Sequence, residues 1–218
     1  MLPVKRIVLF FVVAIVVYAA LVVPRTPLID AYRYAFRAAG NVLFQSVGDG
    51  GAVRFVPFDD KTQHDKDTTL RLTNRKKNIS GSAEIRAVFT GYRPTAFLIA
   101  LVLATPIPWR RRGWSLTWGL LLVSVFVSLR VWLRVVDFMS NGDAIAVYQL
   151  GATAKGLLRV LVNIFALATA PGYIVPGLIW ILVCFRKGDW ERLTTTAEPA
   201  EPSRDAGDSR PPRSTKKA

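Results

Sequence analysis

The sequence has a single cysteine, Cys184, and a single histidine, His64, among its 218 residues. One cysteine excludes an internal disulfide and excludes a cluster of thiolates around a metal ion. Acidic residues are also scarce, with 15 Asp and Glu against 29 Lys and Arg, and the formal net charge is +14. A soluble nucleic-acid-binding protein of this basicity carries its charge on one face of a globular domain.

The basic residues of this chain instead flank long apolar segments, and 51% of all residues are hydrophobic. This segregation indicates a membrane protein that contacts lipids, and it argues against a nucleic-acid partner. Lys and Arg beside membrane spans stay on the cytoplasmic side. Four spans with both termini in the cytoplasm place three basic clusters beside the spans on that side. These topology determinants are Lys5, Arg6, Arg110, Arg111, Arg112, Arg186 and Lys187.

The predicted fold is that of a mainly α-helical membrane protein with four transmembrane helices and a small extracytoplasmic α+β domain. Its segments, in chain order, are transmembrane anchor 1 (1–24), the α+β domain (25–92), transmembrane helix 2 (93–109), a cytoplasmic basic turn (110–112), transmembrane helix 3 (113–135), an extracytoplasmic loop or interfacial helix (136–156), a kinked transmembrane helix 4 (157–185) and a disordered cytoplasmic tail (186–218).

The α+β domain is predicted to contain one helix and three antiparallel strands. Apolar residues at helical spacing favour a helix over residues 28–44, weakened or ended by Gly40. Three segments then alternate apolar and polar side chains, which is typical of strands with one buried face. Their apolar residues are Val53 and Phe55, then Leu70 and Leu72, then Ile85, Ala87 and Phe89. Because so small a sheet needs a covering layer, the helix is expected to pack on it.

Two arginines stand near the end of the third predicted span. Arg130 and Arg134 are one helical turn apart, with Asp137 three residues further along the same face. The preferred interpretation is that both arginines extend to the outer membrane surface as the helix emerges. The alternative is a buried Arg–Asp cluster that binds a partner protein or an anionic lipid headgroup.

The densest group of possible metal ligands is an acidic segment between the first two predicted strands. Its candidates are Asp59, Asp60, His64, Asp65 and Asp67. Oxygen ligands with one imidazole suit a divalent cation, but the spacing matches no known calcium or zinc pattern. A solvated connector is therefore preferred. No catalytic or cofactor-binding residue is predicted, because Cys184 lies near the cytoplasmic end, away from His64 and the two arginines.

A resemblance to a known family rests on DTTLRLTNRKK (67–77) and GYRPTAFLIALVLATPIPWRRR (91–112). These segments resemble the small multi-pass membrane proteins associated with exosortase H, a bacterial envelope enzyme that processes proteins carrying a C-terminal sorting signal. The resemblance implies a non-enzymatic accessory or scaffold protein, and an exosortase is the partner that it suggests. It implies no catalytic residue and no cofactor. Charge asymmetry and segment lengths predict that this protein lies in the bacterial inner membrane, with residues 25–92 in the periplasm.

Two other functions remain open at this point. A small transporter or channel subunit is favoured by the Pro–Gly pairs at 171–172 and 176–177, which interrupt the last apolar segment. A metal-dependent envelope enzyme would use the acidic segment at 59–67.

Overall fold

The structure, a computed structural model, describes residues 2–23, 27–48, 50–58, 67–141 and 151–184. This part of the chain is mainly helical and contains one small sheet. The α-helices are α1 (Leu2–Val22), α2 (Pro27–Leu43), α3 (Arg93–Ala104), α4 (Trp109–Asn141), α5 (Ala152–Leu161) and α6 (Pro171–Cys184). The strands are β1 (Gly51–Pro57), β2 (Thr68–Asn74) and β3 (Ile79–Ile85). Two π-helical segments, π1 (Val88–Tyr92) and π2 (Val162–Leu167), lead into α3 and follow α5.

Helix α3 is the centre of the helical part of the fold and contacts α1, α4 and α6. Its small and medium apolar side chains, among them Ala96, Leu98 and Ala100, are buried, so the neighbouring helices approach closely. At the start of α3 the Tyr92 hydroxyl donates a 2.7 Å hydrogen bond to the carbonyl of Leu21, near the end of α1. The end of α1 and the start of α3 therefore lie together.

The other end of α3 lies beside the start of α4 and the end of α6. The Arg111 guanidinium donates to the Cys184 carbonyl at 2.8 Å, so it binds a carbonyl at the last turn of α6. The indole N–H of Trp180 donates to the Thr105 hydroxyl at 2.8 Å. The end of α3 thus lies beside the start of α4 and the end of α6, so α3 is antiparallel to α4 and parallel to α6.

The three strands form an antiparallel sheet in the order β1-β2-β3, which confirms the predicted three-stranded sheet. The register aligns Phe55 with Leu70 and Leu70 with Ala83. The position of the third strand was wrong in the prediction, because β3 begins at Ile79 and ends at Ile85. Four residues, 75–78, make the hairpin turn, with Asn78 at a φ of 52°. Asn is one of the few residues that adopts this left-handed backbone readily.

The predicted continuation of that strand through Ala87 and Phe89 is helical instead. The Asp67 carboxylate explains the change, since it accepts hydrogen bonds from the backbone N–H groups of Ala87, at 2.7 Å, and Val88, at 2.9 Å. These are N–H groups that the first turn of a helix leaves without a partner. Asp67 therefore ends the strand pattern and starts the helical segment that leads into α3.

The buried face of the sheet packs on α4 as well as on α2. Phe55, Leu70 and Ile85 share one hydrophobic core with Val131, Val135 and Met139 of α4. Helix α4 has 33 residues and is about 50 Å long, well beyond the predicted range of 113–135. Helix α2 and the sheet thus share their core with the far end of a long helix, where the sequence had indicated a separate domain.

Two further predicted boundaries differ from the structure. Residues 110–112, predicted as a turn, belong to the first turn of α4. The last apolar segment, predicted as one kinked helix, consists of two parts bent by 72°. The chain leaves π2 with an extended backbone at Ala168, whose ψ is 142°, and α6 starts at Pro171. Proline is favoured in a first helical turn, where its missing N–H costs nothing, whereas Pro176 lies within α6.

By length and composition, one described helix can cross a membrane by itself, namely Trp109–Ser140 within α4. The number rises to three if each of two bent pairs counts as one span, and these pairs are Ile7–Val22 with Pro27–Leu43 and Ala152–Ala166 with Pro171–Cys184. The segment Val88–Ala104 is apolar but shorter.

Candidate functional site

Arg130 is the most unusual buried residue of the fold, with only 2% of its surface exposed. Its Nη2 atom donates to the carbonyl oxygens of Ala166, at 3.2 Å, and Ala168, at 3.4 Å. Its Nη1 atom donates to the Thr90 carbonyl at 3.4 Å. The guanidinium group therefore connects α4 to π1, to π2 and to the residue that follows π2.

These carbonyls are available because the helices are irregular where they surround Arg130. Thr90 lies in π1, Ala166 lies in π2 and Ala168 has left the helix with an extended backbone. A carbonyl that loses its regular helical partner inside a protein costs free energy unless another donor reaches it. Gly172 leaves room for this donor, since a Cβ atom there would lie 3.3 Å from Arg130 Nη1. Arg130 thus stabilises two helix irregularities at once.

This arrangement overturns the preferred interpretation for Arg130, because a side chain that reaches the membrane surface is exposed at its charged end. The sequence shows a single arginine at the end of an apolar segment. It does not show that the carbonyl groups of two other segments converge on that arginine. This convergence is visible only in the tertiary contacts.

Arg134 lies one turn further along α4 and is partly exposed. The carboxylate of Asp137 lies close enough to influence it electrostatically, so the predicted face of Arg130, Arg134 and Asp137 is present on α4. The two arginines differ in their environment, since Arg130 is enclosed by backbone carbonyls and Arg134 faces an open space.

That space is a cavity of about 340 Å³ between the end of β3, π1, α4 and π2. We call it the arginine cavity. Its charged lining residues are Arg86, Arg130, Arg134 and Glu84. Its remaining lining is formed by Ile85, Phe89, Thr90, Val131 and Ala166. With Asp137 beside Arg134 included, the groups around the cavity leave one positive charge in excess.

Sequence reasoning missed Arg86 and Glu84 as members of this site. Both were interpreted as the solvent-facing residues of a strand. For Arg86 the misplaced third strand is the reason, because Arg86 follows the last residue of β3 and lies at the junction with π1. The Asp67 side chain, 20 residues away, determines that junction, and a pattern within one segment cannot reveal it. Glu84 is an exposed residue of β3, as predicted, and it also lines the cavity.

A second cavity of about 230 Å³ lies on the opposite side of Val131, between α2, β1, α3 and α4. Its walls are mainly apolar and include Tyr32, Phe36, Phe55 and Val127. Ser124 and Ser128 of α4 also line this cavity.

The described part of the fold does not bring the candidate metal ligands together. The Asp67 carboxylate accepts two backbone N–H hydrogen bonds, and its Oδ2 atom lies 3.8 Å from Arg33 Nε. The other four candidates, Asp59, Asp60, His64 and Asp65, lie outside the described residues. Among the described residues no group of three or more His, Cys, Asp or Glu could hold a metal ion.

Those remaining predicted residues that the structure describes lie at the end of the bundle away from the sheet. Cys184 is buried there, and Arg111 and Arg112 donate to the carbonyls of Cys184 and Thr105. Lys5 in α1 is exposed. The Arg6 side chain and residues 186 and 187 lie outside what the structure describes.

No protein-family model matches this chain, and no curated protein or solved structure is similar to it.

Proposed function

We propose that this chain is a four-span protein of the bacterial inner membrane, with both termini in the cytoplasm and the sheet in the periplasm. The spans are α1, π1 with α3, α4, and the bent pair formed by α5 and α6. Helix α1 has 21 residues and is about 31 Å long, which fits a hydrocarbon core of about 30 Å. The pairing of Tyr92 with Leu21 at one end and of Arg111 with Cys184 at the other supports alternating helix directions.

The short span π1–α3 is compatible with this topology. Residues 88–104 cover about 25 Å as a helix, and the chain continues without helical structure from Thr105 to Pro108 before α4 begins. A helix surrounded by α1, α4 and α6 is shielded from lipid, so non-helical backbone at its end is tolerated. The Arg112 guanidinium donates to the Thr105 carbonyl at 3.0 Å, so one carbonyl group of this segment has a hydrogen-bond donor.

Fusion of alkaline phosphatase tests the topology. Fusion after Gln63 should give active enzyme, because the enzyme folds only outside the cytoplasm. Fusion after Arg112 should leave it inactive, because clustered arginines stay inside. Equal expression of both fusions, measured by immunoblot, is the control. The reverse pattern of activity would overturn the topology.

For the function within that membrane, we propose a non-enzymatic accessory or scaffold protein that serves an exosortase-type envelope protein-sorting system. The observation that supports this role best is the exposed apolar surface of α1. Ala14 is the one buried side chain among those described in this helix, and large residues such as Leu9 and Ile15 are 62% and 65% exposed. The face of α1 that points away from α3 is therefore apolar and exposed, and it can pack against another membrane protein.

The environment of Arg130 weakens the case for a transporter or channel subunit. The interruption before α6 was the feature that favoured transport, since transporters use broken helices to bind substrates and ions. Here the carbonyls of Ala166 and Ala168 already bind the Arg130 guanidinium. The irregular backbone therefore has a structural partner within the chain. The metal-dependent enzyme is weakened in the same way, because both Asp67 oxygens accept backbone N–H groups.

Site-specific photo-crosslinking tests the proposed partner in membranes that contain an exosortase-type enzyme. A photoreactive residue in place of Ile15 should form a covalent adduct with that enzyme, whereas the same residue in place of the neighbouring Ala14, which is 8% exposed, should not. Deletion of this protein should also slow removal of the sorting signal from a substrate, followed by immunoblot. Adducts with lipid alone, together with unchanged processing, would contradict the proposal.

A further inference from the structure

We propose that the arginine cavity binds a phosphate group at the outer surface of the membrane, either that of a phospholipid headgroup or that of a soluble phosphate ester. The inference rests on the proposed membrane position of α4 but is independent of the proposed exosortase partner.

The position of the cavity along α4 is the first argument. Arg130 lies about 30 Å along the helix axis from Arg110, which is the thickness of the hydrocarbon core. If the arginines at 110–112 mark the inner boundary, Arg130 and Arg134 are at the level of the outer boundary. Lipid phosphates lie at that level.

The second argument is the chemistry of the walls. Arg86, Arg130 and Arg134 approach the cavity from two different elements, and guanidinium groups bind phosphate oxygens with paired, charge-assisted hydrogen bonds. Glu84 and Asp137 offset two of these charges, which leaves one positive charge for a phosphodiester that carries one negative charge. The Nε atom of Arg130 is buried and has no hydrogen-bond partner among the described residues.

The third argument is size and shape. A volume of about 340 Å³ falls within the range of roughly 300–1,000 Å³ that is usual for ligand pockets. Phe89 and Ile85 supply apolar walls beside the arginines, as expected for a headgroup whose glycerol carbons follow the phosphate. Arg130 forms the rigid back of the cavity because its Nη atoms are held by carbonyls. Arg134 is partly exposed and Arg86 is exposed, and both line the cavity.

Lipid binding to the full-length protein in detergent, measured by native mass spectrometry, tests the proposal. The probes are a short-chain phosphatidylglycerol, the diacylglycerol with the same acyl chains but no phosphate, and inorganic phosphate as a competitor. Wild-type protein should bind phosphatidylglycerol and not diacylglycerol. Arg134→Gln and Arg86→Gln should each weaken binding about tenfold, which corresponds to the loss of one charge-assisted hydrogen bond.

Arg71→Gln is the matched control, because Arg71 is an exposed arginine of the same sheet and does not line the cavity. It should bind the lipid as wild type does. Unchanged thermal unfolding of all three variants establishes that they are folded. Competition by millimolar inorganic phosphate would identify a soluble phosphate ester as the ligand, and its absence would identify a lipid. Equal binding by the cavity variants and Arg71→Gln, or equal binding of diacylglycerol, would refute the site.

Discussion

Replacement of Arg130 by methionine should lower the free energy of unfolding by about 3 kcal/mol, because one buried and two partly buried carbonyl groups lose their donor at about 1–3 kcal/mol each. The carbonyls belong to Thr90, Ala166 and Ala168. Methionine retains much of the side-chain volume, so the loss reflects the hydrogen bonds more than a cavity. Thermal unfolding of the purified full-length protein in detergent measures the effect.

Arg130→Lys separates charge from geometry. Lysine keeps the positive charge, but its single ammonium group cannot reproduce a planar fork that reaches π1 and π2 together. We therefore expect a loss intermediate between wild type and Arg130→Met. Arg110→Lys is the matched control, since Arg110 is an exposed arginine of the same helix, and it should unfold at the wild-type temperature. Wild-type stability of Arg130→Lys would restore the interpretation that this side chain merely extends to the membrane surface.

Arg130 also shows where inference from the sequence reaches its limit. The apolar blocks and the basic clusters predicted a mainly helical fold with a small antiparallel sheet, because hydrophobic periodicity is written into each segment separately. The partners of Arg130 are backbone groups 36–40 positions away. Backbone carbonyls look the same in every sequence, so the arginine could be recognised as unusual but its role could not be derived.

The third strand illustrates a second kind of limit. Alternation of polar and apolar residues continues from Glu84 to Phe89, so a strand was the natural prediction. Asp67 overrides that local pattern by capping the backbone of Ala87 and Val88, and the arginine cavity opens at this junction. The contact of Asp67 with residues 87 and 88 thus determines both where β3 ends and where the candidate site lies.

Gly40 was predicted to weaken or end its helix, yet α2 continues through it to Leu43. The structure gives a different reason for this glycine. A Cβ atom at position 40 would lie 2.8–2.9 Å from three carbon atoms of the Phe55 ring. Glycine allows α2 to pack directly on β1, and the neighbouring Asn41 fixes the approach by exchanging two hydrogen bonds with the Phe55 backbone.

Gly40→Ala should therefore destabilise the protein by about 1–2 kcal/mol. Overpacking costs about 1–3 kcal/mol, and the better helix propensity of alanine offsets up to about 1 kcal/mol of this. Phe55 is 3% exposed and its ring contacts the rings of Phe36 and Phe44, so these two rings oppose its displacement. Chemical unfolding of the full-length protein in detergent measures the loss.

Gly156→Ala provides the contrast, because a Cβ atom at that position in α5 has no neighbour within 4 Å among the described residues. The same substitution there should leave stability unchanged or raise it by up to about 1 kcal/mol. The double variant Gly40→Ala/Phe55→Leu should be less destabilised than the sum of its single changes, since leucine removes the ring that meets the new methyl group. If Gly40→Ala were as harmless as Gly156→Ala, or if the two changes at 40 and 55 were simply additive, the close packing of α2 on β1 would be refuted. The cavity beside Val131 would then have a different shape, because α2 and Phe55 form part of its wall.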